Sequence, residues 1–120
     1  MEVSSRFDGP IVEESPECLA PGLLVAHGSG GTLRLVGELD IAGVPALRAL
    51  LATVDGDIEI DCSGLTFIDC AGLRVLQETQ RACETAGVRL LLIAPSRCVT
   101  RLLDLFGLDG FFDVCDASCS

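Results

Sequence analysis

Apolar residues fall along this chain in two rhythms, and the switches between them mark its elements. Leu23-Leu24-Val25-Ala26 and Thr32-Leu33-Arg34-Leu35-Val36 are short β-type runs separated by Gly28-Ser29-Gly30-Gly31, the pattern of a hairpin. Leu47, Leu50, Leu51 and Val54 recur at i, i+3, i+4 and i+7, which predicts a helix with Pro45 in its first turn and Gly56 at its end. Ile58 to Asp61 reads as a strand and Ser63-Gly64 as a turn. Leu65, Phe67 and Ile68 then form a second apolar stretch that delivers Asp69-Cys70-Ala71-Gly72 to a helix start.

That helix is predicted to run from Cys70 to Ala86, with Leu73, Leu76, Thr79, Cys83 and Ala86 inward. Arg74, Gln77, Glu78, Arg81 and Glu84 point outward, and Arg74/Glu78 and Glu78/Arg81 are spaced for pairing along the helix. Gly87 closes it in the left-handed conformation. Val88 to Ile93 is the nearly continuous apolar run expected of a central strand covered on both faces. Pro95-Ser96 opens a last helix with Val99, Leu102, Leu103 and Phe106 on one face, Gly107 ends it, and Phe111-Phe112-Asp113-Val114 offers a final short strand.

The resulting order, β-β-α-β-α-β-α-β, is that of a single α/β domain, a mixed β-sheet with crossover helices. Residues 22–116 make that domain. Residues 1–21 form an acidic tail containing Pro10, Pro16 and Pro21, and residues 117–120 a short C-terminal tail. The N-terminal tail reads either as a docking arm or as a solvated extension, and its composition favours the extension.

Composition narrows the function. With 120 residues and 49% hydrophobic content the chain can bury a core, and no apolar run approaches the ~20 residues needed to cross a bilayer. The opening residues lack the basic start and apolar centre of a signal peptide, so a cytoplasmic address is expected. Net charge is −10, from 18 acidic and 8 basic residues, and every basic residue is arginine. Such a balance repels phosphate backbones and anionic lipids, excluding nucleic acid and membrane surfaces and favouring a protein partner with a basic face. Seven cysteines (18, 62, 70, 83, 98, 115 and 119) include no CxxC pair, and His27 is the only histidine, so no metal site and no cofactor is expected. In a reducing compartment they are expected as free thiols, most of them small core hydrophobes.

The candidate chemistry lies at residues 69–72. A helix N-terminus leaves backbone N–H groups unpaired and carries partial positive charge. Asp69 is placed to cap it, and a negative group on the side chain at position 70 would be welcomed there. Asp40 and Asp69 each follow a strand, so they converge at one end of the sheet, where α/β domains bind their ligands. They serve there as helix caps, as a polar docking rim, or as both.

Three stretches resemble the STAS domain of anti-sigma factor antagonists: Gly37-Glu38-Leu39-Asp40, Asp61 to Leu73 (DCSGLTFIDCAGL), and Arg101 to Leu108 (RLLDLFGL). The resemblance spans Leu33 to Val114 in the family's order. It implies a non-catalytic module that binds an anti-sigma factor, itself a serine kinase, and displaces the sigma factor. The docking face would comprise Asp40, Asp69, Cys70, Ala71 and Gly72, bordered by Leu73 and Arg74. In the family the kinase phosphorylates the residue after the aspartate, and about two added negative charges break the complex.

This chain departs from that pattern. The acceptor position is Cys70 and the next residue is Ala71, so neither offers a hydroxyl. Three modes of control follow: constitutive competence, phosphorylation moved to Ser63 or Thr66, or oxidation of Cys70, since partial positive charge at a helix N-terminus favours a reactive thiolate. A STAS subunit of another assembly, stressosome-like or lipid-transporting, is the alternative reading. A cysteine phosphatase needs C-x5-R, but position 76 is Leu76 and Arg74 has the wrong offset; His27 is no plausible base. A magnesium site of the receiver type would need a lysine, which the chain lacks.

Overall fold

The computed structural model describes residues 16–28, 31–108 and 110–115. Six strands and three helices follow one another as β1 (Glu17–Ala20), β2 (Leu23–His27), β3 (Thr32–Leu39), α1 (Val44–Ala52), β4 (Ile58–Ile68), α2 (Cys70–Ala86), β5 (Leu90–Ile93), α3 (Arg97–Leu105) and β6 (Asp113–Cys115). The strands lie side by side in chain order in one mixed sheet. β1, β2 and β3 are antiparallel neighbours, while β3 to β6 run parallel.

The sequence reading placed residues 17–20 in the tail, whereas they pair with β2 as an edge strand. Residues 1–15 and the expected tail at 117–120 lie outside the described residues, as do Ser29 and Gly30 of the predicted turn.

β4 also differs from expectation. Instead of turning at Ser63-Gly64, it continues for eleven residues. Its buried positions, Ile58, Ile60, Cys62, Leu65 and Ile68, change spacing from two to three. Each three-residue step is a bulge: Arg34 pairs Asp61 but Val36 pairs Gly64, and Gly37 pairs Leu65 but Glu38 pairs Phe67. Gly64 belongs inside the strand because a Cβ there would lie 2.9 Å from Val36 Cγ2 and 3.0 Å from the Leu35 carbonyl oxygen.

One sheet face is the core. Leu23, Val25, Leu33, Leu35, Ile60 and Leu92 are buried there with Leu47 and Leu51 of α1 and Leu73, Val75 and Leu76 of α2. The alternate strand residues form cross-strand polar pairs instead, Thr32 Oγ1 to Glu59 at 3.2 Å and Arg34 Nε to Asp61 at 3.4 Å, the pattern of a face left to solvent. β5 is an interior strand as predicted, yet Leu91 and Ile93 are only half-buried, so it is covered mainly on one face. β5 pairs β4 only over Ile58–Asp61, and α3 occupies the room beyond, with Cys98 Sγ 3.5 Å from the Leu65 carbonyl oxygen. Phe106, expected on the inner face of α3, is half exposed because it falls in the C-cap.

Glu78 forms neither of the expected pairs along α2. It accepts from Arg48 Nη2 at 2.8 Å and Nε at 3.2 Å, tying α1 to α2. A cleft of about 550 Å³ lies beside this pair, floored by Leu51, Ile58, Val75 and Cys83. None of the expected site residues lines it.

Candidate functional site

Two loops meet at the end of the parallel strands: the turn after β3, Asp40–Gly43, and the junction of β4 with α2. The turn owes its entry to Gly37, whose φ of +108° and close approach to the Gly22 carbonyl oxygen exclude a side chain. Leu39 then points into the core, and the Asp40 carboxylate folds back to accept from the Ala42 N–H at 3.0 Å. Asp40 therefore closes a turn and does not cap α1, whose N-cap is Gly43 with no side-chain bond.

Asp69 does cap its helix. Its Oδ1 accepts from the Gly72 N–H at 2.9 Å, as the spacing predicted. Its Oδ2 accepts from the Ile41 N–H at 3.2 Å, and its own N–H donates to the Leu39 carbonyl at 3.2 Å. The two loops are thus joined through one carboxylate, which brings Asp40 and Asp69 to a common rim as expected.

Gly72 sets the depth of this junction. A Cβ there would lie 2.7 Å from the Leu39 carbonyl oxygen, 2.8 Å from Leu39 Cγ and 3.1 Å from Ile68 Cγ1. Only glycine lets the first turn of α2 press against the end of β3. Cys70, first residue of α2, is exposed; Ala71 is half-buried and Arg74 exposed. Gly72 and Leu73, expected on or beside the docking face, are buried, because helical periodicity turns Gly72 onto Leu39 and Ile68 and Leu73 into the core; they shape the rim without forming its surface.

Sequence reasoning missed two apolar members of the rim. Ile41 is 72% exposed in the turn, and Phe67 is 47% exposed two residues before Asp69. The signals were available: Ile41 follows the Gly37–Asp40 motif outside any helical stripe, and Phe67 falls beside the three-residue step from Leu65 to Ile68.

The alternative hydroxyls sit elsewhere. Ser63 donates to Asp61 Oδ1 at 2.7 Å within β4, roughly 20 Å along the strand from residue 70 at ~3.3 Å per residue. Thr66 is occupied by the Gly37 carbonyl at 3.2 Å. Among the thiols, burial pushes Cys62 from an ordinary 9.0 up to about 12, with Asp61 and Cys98 adding to the effect. Burial likewise raises Cys83, with Asp57 contributing. Cys18 and Cys70 are exposed free thiols, while Cys115 is disulfide-bonded, so the free-thiol state favoured by the odd count does not extend to it. Cys119 lies outside the described residues. Leu76, where a phosphatase loop needs arginine, is fully buried.

These features define a small α/β domain with a mixed sheet and an exposed, polar-rimmed helix start at the end of its parallel strands. The chain belongs to the STAS family: the family model described as "Mlab, STAS domain" matches residues 23–114. Among curated proteins none matches it. Solved structures of similar fold include a putative anti-sigma factor antagonist from Thermotoga maritima, with TM-score 0.63 and 22% identity over 72% of this chain and 80% of that one. The phosphorylated form of SpoIIAA, a Bacillus cell fate determinant, aligns with TM-score 0.62 and 23% identity over 80% of this chain and 91% of that one. An anti-sigma factor antagonist from Mycobacterium paratuberculosis gives 0.59 and 25%, over 78% and 83%. No helix among the described residues is long and apolar enough to cross a membrane.

Proposed function

We propose that this chain is a cytoplasmic, non-catalytic anti-sigma factor antagonist. Its rim of Asp40, Asp69, Cys70, Ala71 and Arg74 binds an anti-sigma factor of the serine-kinase type, and a sigma factor is thereby released. The observation that carries the reading is the position of residue 70: the exposed first residue of a helix capped by Asp69, whose carboxylate also holds the turn after Asp40, on a fold shared with antagonists. An acidic chain of net charge −10 suits a basic partner surface.

Regulation follows from the same position. In relatives of this kind a phosphoryl group placed there would add about two negative charges to a docking face and oppose association. Cys70 and Ala71 have no hydroxyl to accept one, so docking is constitutive with respect to serine phosphorylation at this rim. The exposed thiol of Cys70 supports a second reading, in which its oxidation weakens docking by adding charge or bulk.

Affinity capture from the native cytoplasm tests the function. Recovery of an anti-sigma factor with a kinase-type ATPase fold is expected; recovery of scaffold or transporter subunits would assign the chain to another assembly. With that kinase in hand, Cys70→Ser gains phosphate and the wild type takes none, whereas phosphate on wild-type Ser63 or Thr66 would move the switch. Peroxide that weakens binding equally in wild type and Cys70→Ser would end the oxidation reading.

A further inference from the structure

Four hydrogen bonds fix the turn after β3. Asp69 Oδ2 accepts from the Ile41 N–H at 3.2 Å, Asp40 Oδ1 from the Ala42 N–H at 3.0 Å, the Asp40 carbonyl from the Gly43 N–H at 2.9 Å, and the Ile41 carbonyl from the Val44 N–H at 3.4 Å. Its largest side chain nevertheless stands in solvent, with Ile41 72% exposed. A single exposed aliphatic residue is ordinary on a protein surface. A single exposed aliphatic residue on a backbone held this firmly, next to the rim, is different, because binding it sacrifices little conformational freedom.

We propose that Ile41 is the apolar anchor of the docking rim, with the exposed Phe67, two residues before Asp69, as a second apolar contact, and that the partner offers an apolar pocket edged by basic groups. The inference rests on the reading of this rim as the partner-binding face and names the residue that dominates affinity there. The basic edge follows from charge: Asp40 precedes Ile41 and folds onto the Ala42 N–H, and the Asp69 carboxylate holds the Ile41 N–H, so two acidic groups adjoin the side chain on a chain of net charge −10. Anchors of this kind, packed into a pocket and ringed by polar contacts, carry a disproportionate share of binding energy.

Asp69 acts in this scheme as a positioning residue. One carboxylate oxygen holds the helix start and the other holds Ile41. Asp69→Asn retains a single acceptor, which serves the helix cap, and turns an NH2 toward the Ile41 N–H, where no hydrogen bond can form. Thermal stability then stays near that of the wild type, the Ile41 amide exchanges faster with solvent, and partner affinity falls.

The test places a photo-crosslinking amino acid at position 41, or at Leu105 as a control that is 74% exposed on α3, in the full chain inside the producing cell. A crosslinked protein from position 41 and none from position 105 is expected. That protein, purified, should bind Ile41→Ala about tenfold or more weakly than wild type, and Leu105→Ala within twofold. No crosslink at 41, or an Ile41→Ala affinity within twofold of wild type, overturns the proposal. The identity of the crosslinked protein judges the functional reading separately: a partner other than an anti-sigma factor would refute that reading and leave Ile41 as the anchor.

Discussion

Gly72→Ala exposes the most consequential packing contact at the rim. In an open helix the change would stabilise by about 1 kcal/mol, since glycine carries the larger entropy loss on folding. Here the added methyl would sit 2.7 Å from the Leu39 carbonyl oxygen and 2.8 Å from Leu39 Cγ. Neither can move aside easily, because that carbonyl accepts from the Asp69 N–H, Leu39 pairs with Ile68 in the sheet, and its side chain is fully buried. Overpacking of this kind typically costs about 1–3 kcal/mol. With both contacts below 3.0 Å, one of them to backbone, the cost falls in the upper part of that range, about 2–3 kcal/mol, so after the helix gain a net loss of about 1–2 kcal/mol remains, a fall in Tm of several degrees for a domain of this size. The chain contains no tryptophan or tyrosine, so urea and thermal unfolding are followed by far-UV circular dichroism. Gly110→Ala is the control: no atom lies within 4 Å of its Cβ position, and it should be neutral or slightly stabilising. A Gly72→Ala protein as stable as wild type would show that α2 does not press on β3 as described.

Other outcomes follow from the same geometry. Asp69→Ala removes the cap on α2 and is expected to lose about 0.5–2 kcal/mol in urea unfolding, with Asp69→Asn close to wild type; equal losses in both would contradict the capping role. Cys62 keeps its proton in the folded state up to about pH 12, whereas the unfolded chain loses it near 9.0, so stability is fully present below pH 9 and falls as pH rises through that interval. The slope approaches about 1.4 kcal/mol per pH unit, to a total of about 4 kcal/mol, with Cys83 acting in the same direction. Because the chain has neither lysine nor tyrosine, the side chains that titrate there are its thiols, and Cys62→Val should flatten the dependence measured by urea unfolding between pH 8.5 and about 11. A thiol reagent applied to the native protein should modify Cys18 and Cys70 rapidly and spare Cys62 and Cys83; prompt labelling of Cys62 would argue against its burial.

Much of the architecture was legible because hydrophobic spacing and terminal glycines act locally. Gly87 and Gly107 end their helices with positive φ, and Asp69 caps α2 through the residue three positions on. What escaped depends on neighbours distant in sequence. β1 is an edge strand with Glu17 and Cys18 exposed, so it carries little of the alternation that marks a half-buried strand. Ser63-Gly64 looks like a turn, yet Gly64 is there to let Val36 approach, a requirement visible only once β3 lies beside β4. Glu78 prefers Arg48 on another helix to its neighbours on α2. The rim was half legible. Asp40, Asp69 and Cys70 sit together, but helical phase buries Leu73, and Ile41 enters the surface because a hydrogen bond from a residue 28 positions away holds its turn.

The central claim is that another protein covers the end of the sheet around Cys70. Amide hydrogen exchange of the chain, free and bound to the partner recovered by capture, tests this most directly. Slowed exchange confined to residues 38–43 and 66–75 is the expected footprint. Protection appearing instead across the polar sheet face of Arg34, Glu59 and Asp61, with the rim unchanged, would contradict it.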